Sequence, residues 1–318
     1  MAAPEIVFMF SGQGSQYFQM GKSLYEGNDT FREWMLRLDE VARPVLGESV
    51  LAALYASGRG KGDPFDRALL THPAIFIVEY ALAQALMGAG VLPDVVLGTS
   101  MGSFAAAAVG GFLDVEDALH AVVRQAMALE ECGQPGGMTA VLADPALFGE
   151  EFLGGRGELA GINFSTHFVI SAKRTELREI EAALRRRSVT FQRLPVMFPF
   201  HSQWIDRAKT PFQSFMNTVT HRQGRLPMAC CDQTALLDEL SDGYFWDVVR
   251  RPIRFRETTA RLEEGGPRRY VDVGPAGTLA TFLKYGLPAG STSTLHSILT
   301  PFGTDRKNFA AVSQSLGH

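Results

Sequence analysis

Cysteine is scarce in this 318-residue chain: Cys132, Cys230 and Cys231 are all it has. Three thiols, two of them adjacent, make no disulfide framework, and without a C-x-x-C they offer no zinc-ligand spacing. No metal and no bound cofactor are expected, and a reducing cytoplasm is the expected compartment. An excess of either charge is also missing. Thirty Lys and Arg face 34 Asp and Glu, for a formal net charge of −4, so there is no overall basic footprint for nucleic acid. No apolar run reaches the roughly 18 residues of a membrane span. "IVFMF" near the N-terminus is too short for a signal-peptide core, so neither a leader nor a membrane anchor is expected. Internal repeats and low-complexity segments are absent as well.

What the chain does have is apolar mass. Hydrophobic residues make up 46% and charged residues 20%, enough for a sizeable core. The length suits a large domain with a smaller inserted one. Ile6–Phe10 and Asp94–Ser100 read as strands buried on both faces. Helical spacing covers 31–57 and 73–90, and a further helix with an acidic first turn is expected over Asp114–Glu131. Past "CGQPGGM" the texture changes to β-α-β-β-α-β, the split unit of a ferredoxin-like subdomain, placed at 136–198. Residues 1–135 and 199–318 then form the large domain. It ends in a buried strand, Tyr270–Val273, that runs into "GPAG", and the polar tail after Gly290 is expected to be loosely held.

The second strand runs straight into "GTSMGSFAAAA", so Ser100 lies between strand and helix in a G-x-S-x-G. Such a turn projects its serine outward, and the glycines spare the backbone a Cβ clash. The helix N-terminus adds free N–H groups suited to an oxyanion. Ser100 is therefore either a nucleophile or a plain N-cap. A nucleophilic serine needs a base, and His201 in "FPFHSQW" is one of seven histidines available. His72, before Pro73, reads as a helix-start residue. "FSGQGSQ", Phe10–Gln16, has neither a dinucleotide nor a P-loop spacing; its glutamine either stabilises an oxyanion or caps a helix. The basic run Arg185–Arg187 reads as a solvated helix end. The pairs Arg250–Arg251 and Arg268–Arg269 read as surface charge, or as contacts for an acidic carrier protein or a coenzyme phosphate.

"FMFSGQGSQYFQMGKSLY", "THPAIFIVEYALA", "VLGTSMGSFAAA", "GGMTAVLA", "FPFHSQWI", "RRPIRF" and "YVDVGPAGTLA" follow one another in order. Together they resemble the malonyl-CoA:acyl carrier protein transacylases and the acyltransferase domains of polyketide synthases, from Phe8 to about Leu283. The resemblance implies an α/β fold: a large α/β-hydrolase-like domain with an inserted ferredoxin-like subdomain. It makes Ser100 the nucleophile and His201 the general base, with a backbone carbonyl near Val248 orienting the histidine. Gln13 and the N–H of Met101 correspond to the oxyanion hole, and Thr99, Phe200 and Gln125 to the acyl site. The implied chemistry is ping-pong, through an acyl-enzyme drawn from an acyl carrier protein thioester or an acyl-CoA.

Three departures matter. Where the family writes G-H-S-L-G-E, this chain writes G-T-S-M-G-S, with Thr99 and Ser103 replacing histidine and glutamate. Malonyl-taking members carry an arginine 25 residues past the serine to grip the free carboxylate; Gln125 stands there, with Arg124 adjacent. One helical residue turns a side chain by about 100°, so Arg124 is expected to point elsewhere. Loss of that cation favours neutral acyl groups. In this the chain is similar to the acyl hydrolases of trans-acyltransferase polyketide systems, which strip unwanted acyl groups from carrier proteins. The rivals are an acyltransferase for an acyl or malonyl unit, an ordinary α/β-hydrolase using an acid such as Asp144, and a non-catalytic binding partner.

Overall fold

The computed structural model of the chain describes residues 3–153 and 155–317. All five side chains of Ile6–Phe10 (β1) are buried, as a strand covered on both faces requires. The other strands are Val95–Gly98 (β2), Gly136–Val141 (β3), Glu158–Phe164 (β4), His167–Lys173 (β5), Phe191–Arg193 (β6), Met228–Cys230 (β7), Ala235–Leu237 (β8), Arg269–Asp272 (β9) and Thr294–Ser297 (β10). Among the helices, Lys22–Gly27 (α1), Asp29–Leu46 (α2), Val50–Leu54 (α3), Ala68–Gly88 (α4), Gly102–Gly110 (α5) and Val115–Cys132 (α6) come first. Arg174–Arg186 (α7), Lys209–Met216 (α8), Tyr244–Arg250 (α9), Phe255–Glu264 (α10), Thr278–Gly286 (α11) and Asp305–Leu316 (α12) follow.

The strands form two sheets. The larger runs β10-β9-β1-β2-β7-β8, parallel except for the antiparallel edge strand β8. The smaller runs β4-β5-β3-β6, all antiparallel. In the larger sheet Phe8 of β1 lies between Val96 of β2 and Val271 of β9, so its centre is apolar on both sides. The smaller sheet is tied to the larger body by backbone bonds: Ile253 N–H donates to Ala160 O (2.8 Å) and Ile162 N–H to Ile253 O (3.0 Å). Gly161 lies between them. A Cβ there would stand 2.9 Å from both the Cβ and the O of Ile253, so this close approach needs glycine.

Several expectations need correction. The helical stretch 31–57 is two helices, because Gly47 takes a left-handed φ of 76° and Ser49 caps a new start by accepting from Ala52 N–H. Helix α4 begins at Ala68, which puts His72 and Pro73 inside it rather than at its start. The first helix expected in the inserted segment is only a 3₁₀ turn, Pro145–Gly149. The tail after Gly290 is held in place: β10 adds an edge strand to the larger sheet, Ile298 and Leu299 are fully buried, and α12 packs on α1. Helix α4 is long and apolar enough to cross a membrane by length and composition. It lies instead inside the domain, with 83% of its apolar window buried.

Candidate active site

β1 and β2 are adjacent and parallel, and both end at the same edge of the sheet, where an open α/β sheet offers its binding crevice. β2 stops at Gly98, α5 starts at Gly102, and Ser100 occupies the turn with a positive φ of 53°. A non-glycine residue held there is strained, as in a nucleophile elbow. Both glycines of the motif are sterically required. A Cβ on Gly98 would lie 2.3 Å from Ser103 Cα, and one on Gly102 would lie 2.3 Å from the carbonyl oxygens of Phe10 and Ser11.

Ser100 Oγ lies 2.9 Å from His201 Nε2. On the far side of the ring, Nδ1 lies 2.6 Å from Arg251 O. A carbonyl can only accept, so Nδ1 carries the proton and the Nε2 lone pair faces the serine. The backbone fixes the ring as well: His201 has a φ of 59°, and its N–H donates to Val249 O (2.9 Å). Burial, opposed by the Arg251 carbonyl and aided by the nearby Arg250 charge, pushes the imidazole pKa down to about 4. The ring is therefore neutral at pH 7 and able to take a proton.

The carbonyl that faces the histidine is thus Arg251's, not Val248's. Val248 lies within α9, where carbonyls point along the helix axis. Arg251 is the first residue past the helix, extended (ψ 156°), and its carbonyl is free to turn toward the ring. Asp144 is exposed, caps the 3₁₀ turn through Ala146 N–H, and takes no part in the Ser100–His201 arrangement. Among the described residues no acid bonds to His201; the Arg251 carbonyl oxygen stands where a hydrolase triad has one.

Gly12 packs the β1 loop against this turn so closely that a Cβ on it would meet Thr99 O at 3.0 Å and Ser100 Cβ at 3.1 Å. Gln13 follows. Its side chain turns away, donating from Nε2 to Thr71 Oγ1 (3.0 Å) on α4. Its backbone N–H and that of Met101 make no hydrogen bond within the described residues. The loop is held from below by Glu79. One of its carboxyl oxygens accepts from both the N–H and the hydroxyl of Ser11, each at 2.7 Å. Glu79 is fully buried, and burial pushes its pKa well up, against the two bonds from Ser11.

Between the loop, the turn and the smaller sheet lies a cavity of about 270 Å³. Gln13, Thr99, Ser100, Phe200 and His201 line it, together with Met138, Ala140, Val169 and Leu194 from the inserted segment. Its lining contains no lysine or arginine, and its histidines are His201 and His167. Gln125 does not border it. The side chain lies in the interior, 1% exposed, with both amide atoms unpartnered. Arg124 is exposed and lies over the Phe215 ring, 5.8 Å from its centroid. The arginine pairs Arg250–Arg251 and Arg268–Arg269 are engaged at the surface: Arg250 with Asp206 (2.6 Å), Arg251 with Asp247 (3.1 Å), Arg268 with Glu5 and Arg269 with Pro4 O (2.8 Å). Sequence reasoning missed Glu79, Asn163 and His167. A lone acid inside the apolar "IFIVEYALA" was the available signal for the first; the other two carry none.

The acyl transferase domain family matches residues 7–314. The polyketide biosynthesis acyltransferase homolog BaeD of Bacillus velezensis is 44% identical over 98% of this chain and 96% of its own length. The homolog PksD of Bacillus subtilis is 40% identical over 96% and 95%. Among solved structures, a loading acyltransferase from the avermectin modular polyketide synthase superposes with a TM-score of 0.88 at 26% identity, covering 98% of this chain and 99% of its own. The chain belongs to the acyl transferase domain family.

Proposed function

We propose that this chain is a serine-dependent acyl hydrolase that removes neutral acyl groups from acyl carrier proteins in polyketide biosynthesis. Ser100 Oγ attacks the thioester carbon while its proton passes to His201 Nε2. The oxyanion rests on the N–H groups of Gln13 and Met101. Collapse expels the thiolate, which takes the proton back from His201, and leaves acyl-Ser100. Water then attacks the ester carbon as His201 accepts its proton; collapse breaks the acyl–Oγ bond, His201 returns that proton to Ser100 Oγ, and the free acid leaves.

The observation that carries the neutral-acyl reading is a cavity lining without lysine or arginine. A carboxylate in such a cavity lacks a counter-charge, at a cost on the order of several kcal/mol. The relatives named for polyketide biosynthesis support the setting. The same relatives are named acyltransferase homologs, which favours a second reading: transfer of the acyl group to another carrier thiol. Acyl-CoA presents the same thioester and is a candidate donor. We also read the β4-β5-β3-β6 sheet with α7 as a ferredoxin-like insertion, over 136–198, in a hydrolase-like body; its strand order supports this.

Mass spectrometry of carrier proteins loaded with acetyl, a longer acyl or malonyl separates these readings when half the reactions also hold an empty carrier. Free acid, formed fast from acetyl and slowly from malonyl, is expected of the hydrolase. The acyl group appearing on the empty carrier, with little free acid, replaces that reading by transfer. Ser100→Ala and His201→Ala are each expected to lower turnover by roughly 10³-fold or more with little change in melting temperature. Near-wild-type rates in either variant would remove the assignment.

A further inference from the structure

Ser171 is fully buried in the smaller sheet and has no part in the chemistry just described. It lies on β5, an inner strand between β4 and β3. Side chains alternate along a strand, and its neighbours Ile170 and Ala172 point into the apolar core that includes Leu177 and Ile180 of α7. Ser171 therefore shares the other face with Val169, two residues back, and with Met138, its partner on β3. Val169 and Met138 line the cavity. A hydroxyl fully buried on that face needs a partner. It has one: Ser171 Oγ donates to the carbonyl oxygen of Phe200.

That carbonyl belongs to the peptide group whose N–H is His201's. The N–H donates to Val249 O (2.9 Å), near the end of α9. One peptide group is thus held at both ends, its oxygen by the inserted sheet and its N–H by the larger body. Within the described residues Phe200 O makes no other hydrogen bond. The chain leading up to it is gripped from the same sheet. Gly136 N–H, at the start of β3, donates to Met197 O (3.1 Å), and a Cβ on Gly136 would stand 2.8 Å from Pro199 Cδ. On the other side of His201, Ser202 Oγ donates back to Pro199 O.

His201 needs such a hold. Its φ of 59° is left-handed, a conformation that a histidine keeps only where its surroundings over-determine it. Turning the Phe200–His201 peptide plane changes that φ directly. It swings the imidazole away from two fixed points, Ser100 Oγ at one nitrogen and Arg251 O at the other. The carbonyl end of the plane is the end that the larger body leaves unheld. We propose that Ser171 is a positioning residue for the base: its hydroxyl pins the Phe200–His201 peptide from the inserted sheet and so keeps His201 Nε2 on Ser100. The inserted segment then does more than wall the cavity, because it completes the alignment of a base that the larger body carries.

This inference rests on the acyl-enzyme reading above, and its test separates the two. First-turnover release of p-nitrophenolate from p-nitrophenyl acetate reports acylation of Ser100, and its dependence on ester concentration separates the saturating rate from binding. Ser171→Ala removes the hydroxyl and is expected to lower the saturating rate about ten-fold or more, with the half-saturating concentration within about two-fold of wild type. Its acid limb is expected to move from close to pH 4 toward 6.5, as a released ring meets water. A purely structural loss would lower the melting temperature and leave that midpoint where it was. Ser171→Thr and Ser171→Val add the same bulk and differ by the hydroxyl alone. Thr is expected to stay within about three-fold of wild type in rate and to keep its acid limb, whereas Val is expected to match Ala. Folded Ser171→Ala with a wild-type rate and midpoint would overturn the brace, and so would Thr and Val variants of equal rate. Ser171→Ala decides alone if the larger side chains cost the fold. Wild-type protein that releases p-nitrophenolate no faster than Ser100→Ala would instead sink the acyl-enzyme reading itself.

Discussion

His201 performs its proposed task through three contacts and its burial. Ser100 Oγ stands at Nε2, the Arg251 carbonyl at Nδ1, and Val249 O holds the backbone N–H. A base must be neutral to accept a proton, and an unperturbed histidine is neutral only above about pH 6.5. Burial pushes His201 down to about 4, so it stays neutral through the mildly acidic range. The acid limb of kcat/KM is therefore expected to have its midpoint close to pH 4, with a flat profile from pH 7 to about 5. Initial rates on p-nitrophenyl acetate, taken just after a pH jump, measure this. A midpoint near 6.5 would mean that the ring is solvated in the working enzyme. At this scale the sequence was informative where chemistry needs a particular side chain. Ser100 is marked by glycines that no other residue can replace, and His201 by its block. Arg251 could not be found that way, because it acts through its carbonyl and every residue has one.

Helix α4 is the element that holds the loop after β1. Thr71 takes the Gln13 side chain, and eight residues on Glu79 takes the N–H and hydroxyl of Ser11. Burial favours the protonated carboxyl at this depth; its Oε1 accepts both Ser11 bonds, while Oε2 makes none within the described residues. Glu79→Gln keeps that acceptor at nearly the same shape, so its turnover is expected to stay within a few-fold of wild type. Glu79→Leu leaves the Ser11 N–H buried and unpaired, at about 1–3 kcal/mol. It is expected to lower kcat about ten-fold or more with KM little changed, because a displaced Gln13 N–H is felt mainly in the transition state. Equal losses in Gln and Leu would mean that the charge matters; no loss in either would free the loop from α4. Long elements such as α4 and α6 were legible from their periodicity. The tail was not. β10 is an edge strand with no buried residue, Thr294 exposed and the other three half-buried, and α12 is anchored by a buried acid, Asp305, which accepts from Ser23 Oγ (3.0 Å) and Thr300 N–H (3.2 Å). Polar composition normally marks loose chain, and here polar contacts do the anchoring.

The whole molecule closes two sheets around one cavity, and the interior beside it holds ionisable groups with opposite responses to pH. Glu79 is pushed well up, and Asp272 up to about 6, by burial that its backbone N–H bonds only partly offset. Such groups hold protons in the folded state that the unfolded chain would release, and the stability they contribute is lost as pH rises through their folded pKa. His72 behaves in the opposite way. It lies on α4 against the Phe200 ring (5.6 Å), fully buried, with both ring nitrogens unpartnered, and burial pushes it down to about 3. Its folded pKa is below the unfolded value, so its contribution is fully present above about pH 6.5 and is lost as pH falls toward 3. The wild-type stability profile mixes both signs and cannot isolate either. The difference between wild type and His72→Leu can, because the other groups are common to both. Relative to wild type, His72→Leu is expected to gain stability steadily as pH falls below 6.5, by on the order of 3 kcal/mol at pH 4. Urea midpoints at matched pH measure it. A difference that stays constant from pH 7 to 4 would mean that His72 binds its proton as easily folded as unfolded, so that water or a mobile Phe200 reaches it from the cavity side.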